Sequence, residues 1–209
     1  MTQSKHFRQP KAVTNQLQVI LASTSPFRQK ILQDAGIPFI AMGAEGDEKT
    51  IAGLPPKYLA AKRAEFKGID VARRAPASSL VIGADQVLGL ENRSFDKANS
   101  PAEAALRLKE LQGKTHILHS AFCLIEVHQA GSCKTVFETV VDVPMPMRSL
   151  SDEDINEYVA TGEWQGCVGC YRIEGQGKNL FKSITADESA IIGLPLAELR
   201  SALQQFTLL

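Results

Sequence analysis

The stretch from Leu17 to Gln33 constrains this chain more than any other. Leu17–Ala22 is a short apolar run of the kind that makes a buried strand. Ser23-Thr24-Ser25 follows, then Pro26, where a missing N–H costs a helix nothing, and Ile31-Leu32 carry the apolar face onward. Ser25 is a good N-cap, and Gly36 stands where a glycine ends a helix. The unit is therefore strand, tight polar turn, helix. Three hydroxyls, the free N–H groups of a helix start, and Arg28 and Lys30 within a turn suit a phosphate. A capped helix with a solvated basic face fits the same residues equally well.

The rest of the chain alternates in a similar way. Ile37–Ala41 reads as a strand, and Tyr58–Lys67 as a helix with Leu59, Ala60 and Ala64 inward. Ser79–Ala84 is a second buried-strand signal ending at Asp85-Gln86, and Val87–Leu90 resumes as a strand. Ser100-Pro101-Ala102-Glu103 is a capping box opening a helix to about Leu111. His116–Val127 and Thr135–Val143 pair as a hairpin around Gly131, and Ser151 caps a helix ending near Gly162. A last helix carries Leu199, Leu203 and Phe206. Helices alternate with strands and no composition break marks an independent unit. Residues 1–16 are polar and form a flexible N-terminal arm, and 17–209 form one domain.

Charge limits the partners. Lys+Arg and Asp+Glu both number 23, so the chain is near neutral, which argues against polymeric nucleic acid and a basic membrane surface. It leaves room for a small anion in a local pocket. No apolar run reaches the length of a membrane span, and the first residues lack a signal-peptide core, which points to the cytoplasm. Cys167-Val-Gly-Cys170 has neither a second pair nor suitably spaced histidines; buried or incidental thiols are the simpler reading than zinc.

Two acidic features carry chemistry. Glu45-Gly46-Asp47-Glu48 places three carboxylates on a glycine-containing loop, which fits a divalent cation or a solvated acidic loop. Asp85 follows an apolar strand, a frequent catalytic position because ligands gather outside the carboxyl ends of strands; a turn-capping aspartate is the alternative. Glycines 166, 169, 175 and 177 let backbone approach a ligand but do not form a dinucleotide fingerprint.

In order, Leu21-Ala-Ser-Thr-Ser-Pro-Phe-Arg28, Glu45–Glu48, Gly83-Ala-Asp-Gln-Val87, Asp96-Lys97, Gly169-Cys-Tyr-Arg-Ile-Glu-Gly-Gln-Gly177 and Gly193-Leu-Pro-Leu196 resemble the Maf family of nucleoside triphosphate pyrophosphatases over Leu17 to Phe206. The resemblance implies an α/β fold, a mixed twisted sheet with flanking helices forming two lobes around a nucleotide cleft, as in Maf and ITPase-like proteins, and a homodimer. It implies cleavage between the α and β phosphates, dependent on Mg²⁺, Mn²⁺ or Co²⁺. Asp85 matches the proton acceptor, Ser23, Arg28 and Lys97 match phosphate-binding positions, and Glu45 matches the acidic one; Glu45 and Asp85 together suit the metal. The family's helix lysine falls on Arg63, beside Lys62, and the proline after Lys97 is Ala98. Arginine keeps the charge but is not equivalent to lysine.

Three positions divide the family by base, and here they are Phe27, Gln86 and Glu174. An aromatic, glutamine and glutamate resemble the 7-methyl-GTP branch; arginine, threonine and glutamine mark the dTTP and UTP branch. A methylated, cationic guanine suits an aromatic face and a carboxylate. Phe27 as a core residue one turn before Ile31 is the plainer alternative. A nucleotide-binding inhibitor of septum formation with little catalysis is the competing class, which the Asp85, Glu45 and Lys97 set disfavours.

Overall fold

β1 (Gln18–Ala22) sits in the sheet's interior, with Leu21 and Ala22 fully buried. The computed structural model describes residues 17–129 and 131–206; the N-terminal arm lies outside them. α1 (Pro26–Asp34) starts with proline in its first turn, as its sequence requires, and Gly36 follows in the left-handed conformation at φ 68°. Ser25 occupies the N-cap position, but its side chain makes no capping bond. Ser23 Oγ accepts the Ser25 N–H instead, at 3.2 Å, so the hydroxyl of Ser25 stays available to the neighbouring cavity.

Next come β2 (Ile40–Ala41) and α2 (Pro56–Ala72). α2 runs five residues past Lys67, the end expected from its pattern, because Val71 and Ala72 are buried against the sheet. β3 (Ser79–Leu90) is one unbroken strand of 12 residues, so Asp85 and Gln86 lie within it and not at its end. β4 (Arg93–Phe95), α3 (Pro101–Leu111), β5 (Thr115–Gln129) and β6 (Ser132–Pro146) follow, then α4 (Asp152–Ala160), α5 (Glu188–Ile192) and α6 (Leu196–Gln204). The start of α3 departs from a capping box. Ser100 accepts from Glu103 N–H, but the Glu103 carboxylate accepts from Asn99 N–H at 2.7 Å, one residue earlier. Ser151 and Asp154 form the full reciprocal pair at α4.

The sheet order is β2-β1-β3-β5-β6, with β4 also on β3. β1 runs parallel to β2 and β3, and the remaining pairs are antiparallel, so the sheet is mixed. The decisive feature is a mismatch of length. β1 stops opposite Gly83, and β4 begins only opposite Leu88. Residues 84–87 of β3 therefore keep β5 on one side and have no strand on the other.

Strand alternation then divides the molecule. Leu80, Ile82 and Ala84 pack with α1 and α6 into one core, and Leu88 and Leu90 pack with α3 and α4 into another. These are the two lobes, and Gln86 lies between them on the same face of β3. The opposite face carries Val81, Gly83, Asp85 and Val87 under α2. Here helix and strand touch closely. A Cβ on Gly83 would collide with the Ala64 carbonyl oxygen and lie 2.9 Å from Gly68 Cα. Two glycines thus let α2 settle onto the strand and set Lys67 beside Asp85. Gly83→Ala is expected to force α2 outward and cost about 1–3 kcal/mol, measured by chemical denaturation.

Candidate functional site

The open side of β3 is the back of a cavity of about 430 Å³. Because no strand covers residues 84–87, both faces of β3 reach it, and Asp85 and Gln86 line it although they point oppositely. Its other walls are the start of α1 (Ser25, Phe27, Arg28), the Glu48-Lys49 turn, Arg63 and Lys67 of α2, the 95–99 segment and the 166–174 loop. Six cationic and four anionic side chains line it, in a chain whose total charge is zero. The positive excess is local, as binding of a polyanion requires.

Asp85 is 6% exposed and pairs with Lys67 Nζ at 2.6 Å; the same ammonium pairs with Glu48. Burial pushes the Lys67 pKa down, and the Asp85 charge opposes that shift. Lys67 drew no notice in the sequence as a functional residue. The signal was there in the spacing: four residues beyond Arg63 on a helix, it shares Arg63's face. Arg28 is half-buried in the wall, and burial lowers its pKa. Its Nε donates to the Gly193 carbonyl at 2.9 Å and an Nη donates to Ser23 Oγ at 3.3 Å. Ser23 is thus a buried support for Arg28. Arg63 is loosely held, with contacts of 3.4–3.5 Å to Ile51 O and Asp96 and a buried Nε that has no partner, so its donors are available to an anion. Lys97 lines the same cavity.

Two expected residues are not in the cavity wall: Ser23, which braces Arg28 from behind, and Glu45. Glu45 is 75% exposed and pairs with Arg74 at 3.0 Å, while its backbone N–H donates to Asp70. It lies outside the cavity wall, so Glu45 and Asp85 do not converge. Glu48, three residues on, takes that place: Asp47 caps a short 3₁₀ turn, and the turn directs Glu48 to Lys67 and Asp85. A cluster of three carboxylates on one loop cannot be resolved by spacing; the cap at Asp47 decides which one turns inward. Among the described residues no group of three or more His, Cys, Asp or Glu forms a metal cage.

The polar end of the cavity is fixed by the backbone of α5. Gln86 Nε2 donates toward the Ala190 and Ile191 carbonyls at 3.1 and 2.9 Å and lies 2.7 Å from Ser120 Oγ, its cross-strand neighbour. Two carbonyl acceptors orient the amide. Its oxygen is then the atom left for a ligand. Glu174 and Phe27 line the cavity beside it. The Arg172 guanidinium lies over the Phe27 ring, 4.9 Å from its centre.

The 166–174 loop is tied from several directions. Arg107 donates to both Asp96 O and Val168 O at 2.9 Å and so joins two walls. Tyr158 OH accepts the Arg172 N–H, and Tyr171 OH meets His116 Nε2 at 2.7 Å. Cys167 and Cys170 are free, and burial raises the pKa of both thiols.

A family description, Maf-like protein, matches residues 18–206. This chain belongs to the Maf family. A Maf relative from Rhodopseudomonas palustris (strain BisB18), named nucleoside triphosphate pyrophosphatase, is 41% identical over 91% of this chain and 95% of its own. Another from Bartonella henselae (strain Houston 1), named 7-methyl-GTP pyrophosphatase, is 41% identical over 90% of this chain and 95% of its own. Among solved structures, a HAM1 protein from Coxiella burnetii aligns at TM-score 0.45 and 16% identity, covering 90% of this chain and 99% of that one. Among the described residues no helix is long and apolar enough to cross a membrane.

His116 makes this site's support pH-sensitive. Burial drives its pKa from 6.5 down to about 4, and its Nδ1 has no partner. The folded protein keeps the ring neutral where the unfolded chain protonates it. Its contribution is whole above pH 6.5 and is lost as pH falls through 4. Unfolding free energies at pH 7 and pH 4 are expected to differ by on the order of 2–3 kcal/mol more in the wild type than in His116→Phe.

Proposed function

We propose that this Maf protein hydrolyses a nucleoside triphosphate between its α and β phosphates, releasing the monophosphate and pyrophosphate, and that 7-methyl-GTP is its preferred substrate. The observation that carries the reaction is the meeting, at the uncovered stretch of β3, of the Asp85–Lys67–Glu48 cluster with Arg28, Arg63 and Lys97.

Each group has a task that its surroundings support. Arg28, braced by Gly193 and Ser23, and Arg63, with donors to spare, hold the triphosphate; Lys97 adds a third positive charge. Asp85 accepts the proton of the attacking water. The water oxygen bonds to the α-phosphorus as the bridging α–β bond breaks, and the electron pair leaves with pyrophosphate, whose charge the three cations stabilise. Lys67 holds the Asp85 carboxylate in place in the buried wall until substrate arrives.

A divalent cation fits the donor set. Glu48 and Asp85 are hard oxygen ligands that already share one cation, the Lys67 ammonium. Two carboxylates completed by substrate phosphates and water are the ordinary protein share of a magnesium site. The metal, when bound, neutralises phosphate charge. This revises the pair taken from sequence: Glu48, and not Glu45, partners Asp85.

For the base, Gln86 offers an amide oxygen and Glu174 a carboxylate, both acceptors, beside the aromatic Phe27. Acceptors match the N–H groups on the pairing edge of guanine, and the carboxylate also favours the positive charge of N7-methylation. The relatives named 7-methyl-GTP pyrophosphatase support this reading.

Asp85→Asn is expected to lower kcat by at least about 10²-fold, with the far-UV spectrum unchanged, as loss of a general base predicts. Pyrophosphate release near the wild-type rate would refute the role given to Asp85. Compared at equal concentration, 7-methyl-GTP is expected to outpace GTP, dTTP and UTP, and a chelator to stop all four. Faster turnover of dTTP and UTP would assign the protein to the other branch of the family.

A further inference from the structure

The face that Phe27 offers to a base is already covered. Arg172 comes from the glycine-rich 166–177 loop, and its guanidinium sits over the ring, 4.9 Å from its centre. Its Nε is buried without a hydrogen-bond partner, so the contact with Phe27 is not a by-product of some stronger anchor on that nitrogen. The backbone beneath it is held, because the Arg172 N–H donates to Tyr158 OH at 2.9 Å. The side chain therefore reaches the ring from a fixed point, and both residues line the nucleotide cavity.

We propose that Arg172 is a specificity-determining residue that occupies the base's place on Phe27 and disfavours a positively charged base. This rests on the reading that the cavity takes a nucleoside triphosphate with its base at Phe27. A base stacking on that face must displace the guanidinium or stack beyond it. A neutral purine stacks on a guanidinium without penalty, whereas a methylated, cationic purine meets a like charge. Arg172 thus opposes Glu174, and the base preference is the difference between a cation and a carboxylate two residues apart on one loop. Loss of the arginine charge sharpens the preference for the methylated base.

The test measures binding of 7-methyl-GMP and GMP by calorimetry, which needs no turnover, together with KM and kcat for the two triphosphates. Arg172→Met removes the charge and keeps the length. It is expected to raise the affinity ratio of 7-methyl-GMP over GMP about two- to fivefold, the range of an ordinary cation–aromatic contact, with the kinetic change in KM and not kcat. Arg172→Lys, which retains the charge, is expected to stay near the wild-type ratio. In a Phe27→Leu background the effect of Arg172→Met is expected to shrink, since the shared ring is gone. An unmoved or lowered ratio in Arg172→Met would overturn the proposal and put the base on the ring's other side, toward the hollow lined by Lys30, Asp34 and Glu188. An equal rise in Arg172→Lys would also overturn it. The two readings fail separately: a wild type that prefers GTP refutes the assigned substrate, while only the response to substitution at position 172 judges the arginine. Binding of neither monophosphate by the wild type would overturn both.

Discussion

Everything in the site depends on β3 outlasting its neighbour. A strand inside a sheet shows its side chains to two separated faces, and residues on opposite faces do not ordinarily share a ligand. Here β1 ends opposite Gly83 and β4 pairs only from Leu88 onward, so four residues of β3 form an edge inside the molecule. A ligand at that edge reaches Asp85 on one side and Gln86 on the other. Under the proposed function, adjacent residues would read the phosphate end and the base end of one nucleotide. The same gap separates the two apolar cores, so the cleft between the lobes and the uncovered edge of β3 have a single cause.

Electrostatics completes the arrangement. A buried carboxylate without a partner is costly, and Asp85 is buried. Lys67 answers both Asp85 and Glu48 with one ammonium, and the close packing of Gly68 on Gly83 brings it there. Arg28 is held by a carbonyl and a hydroxyl, neither of which cancels its charge, so its field still acts on the cavity. The overall neutrality of the chain conceals this concentration of positive charge. Composition says nothing of the pocket.

Much of this was legible in the sequence because it is local. The strand–turn–helix at 18–34, the proline starts of α1 and α3, and the hairpin of β5 and β6 follow from period and turn chemistry. Motif order pointed to Arg28, Asp85, Gln86, Lys97 and Glu174, which the structure gathers around one cavity. What remained hidden depends on contacts between distant segments. Local pattern reads strand on both sides of Asp85-Gln86 but not through them; that the two runs are one strand depends on β5 pairing along the whole length. That Glu48 and not Glu45 meets Lys67 follows from Arg74 pairing with the first carboxylate and Asp47 capping the turn before the second. The mutual occupation of Phe27 and Arg172, 145 positions apart, belongs to the same class.

In the proposed complex the nucleotide lies across the uncovered edge of β3. A crystal structure with magnesium and the α,β-imido analogue of 7-methyl-GTP, whose bridging nitrogen resists hydrolysis, tests it most directly. The account predicts the triphosphate among Arg28, Arg63 and Lys97, the α-phosphorus one water away from Asp85, and the base beside Gln86 and Glu174. A triphosphate bound away from residues 84–87, or an Asp85 facing away from the phosphates, would contradict it.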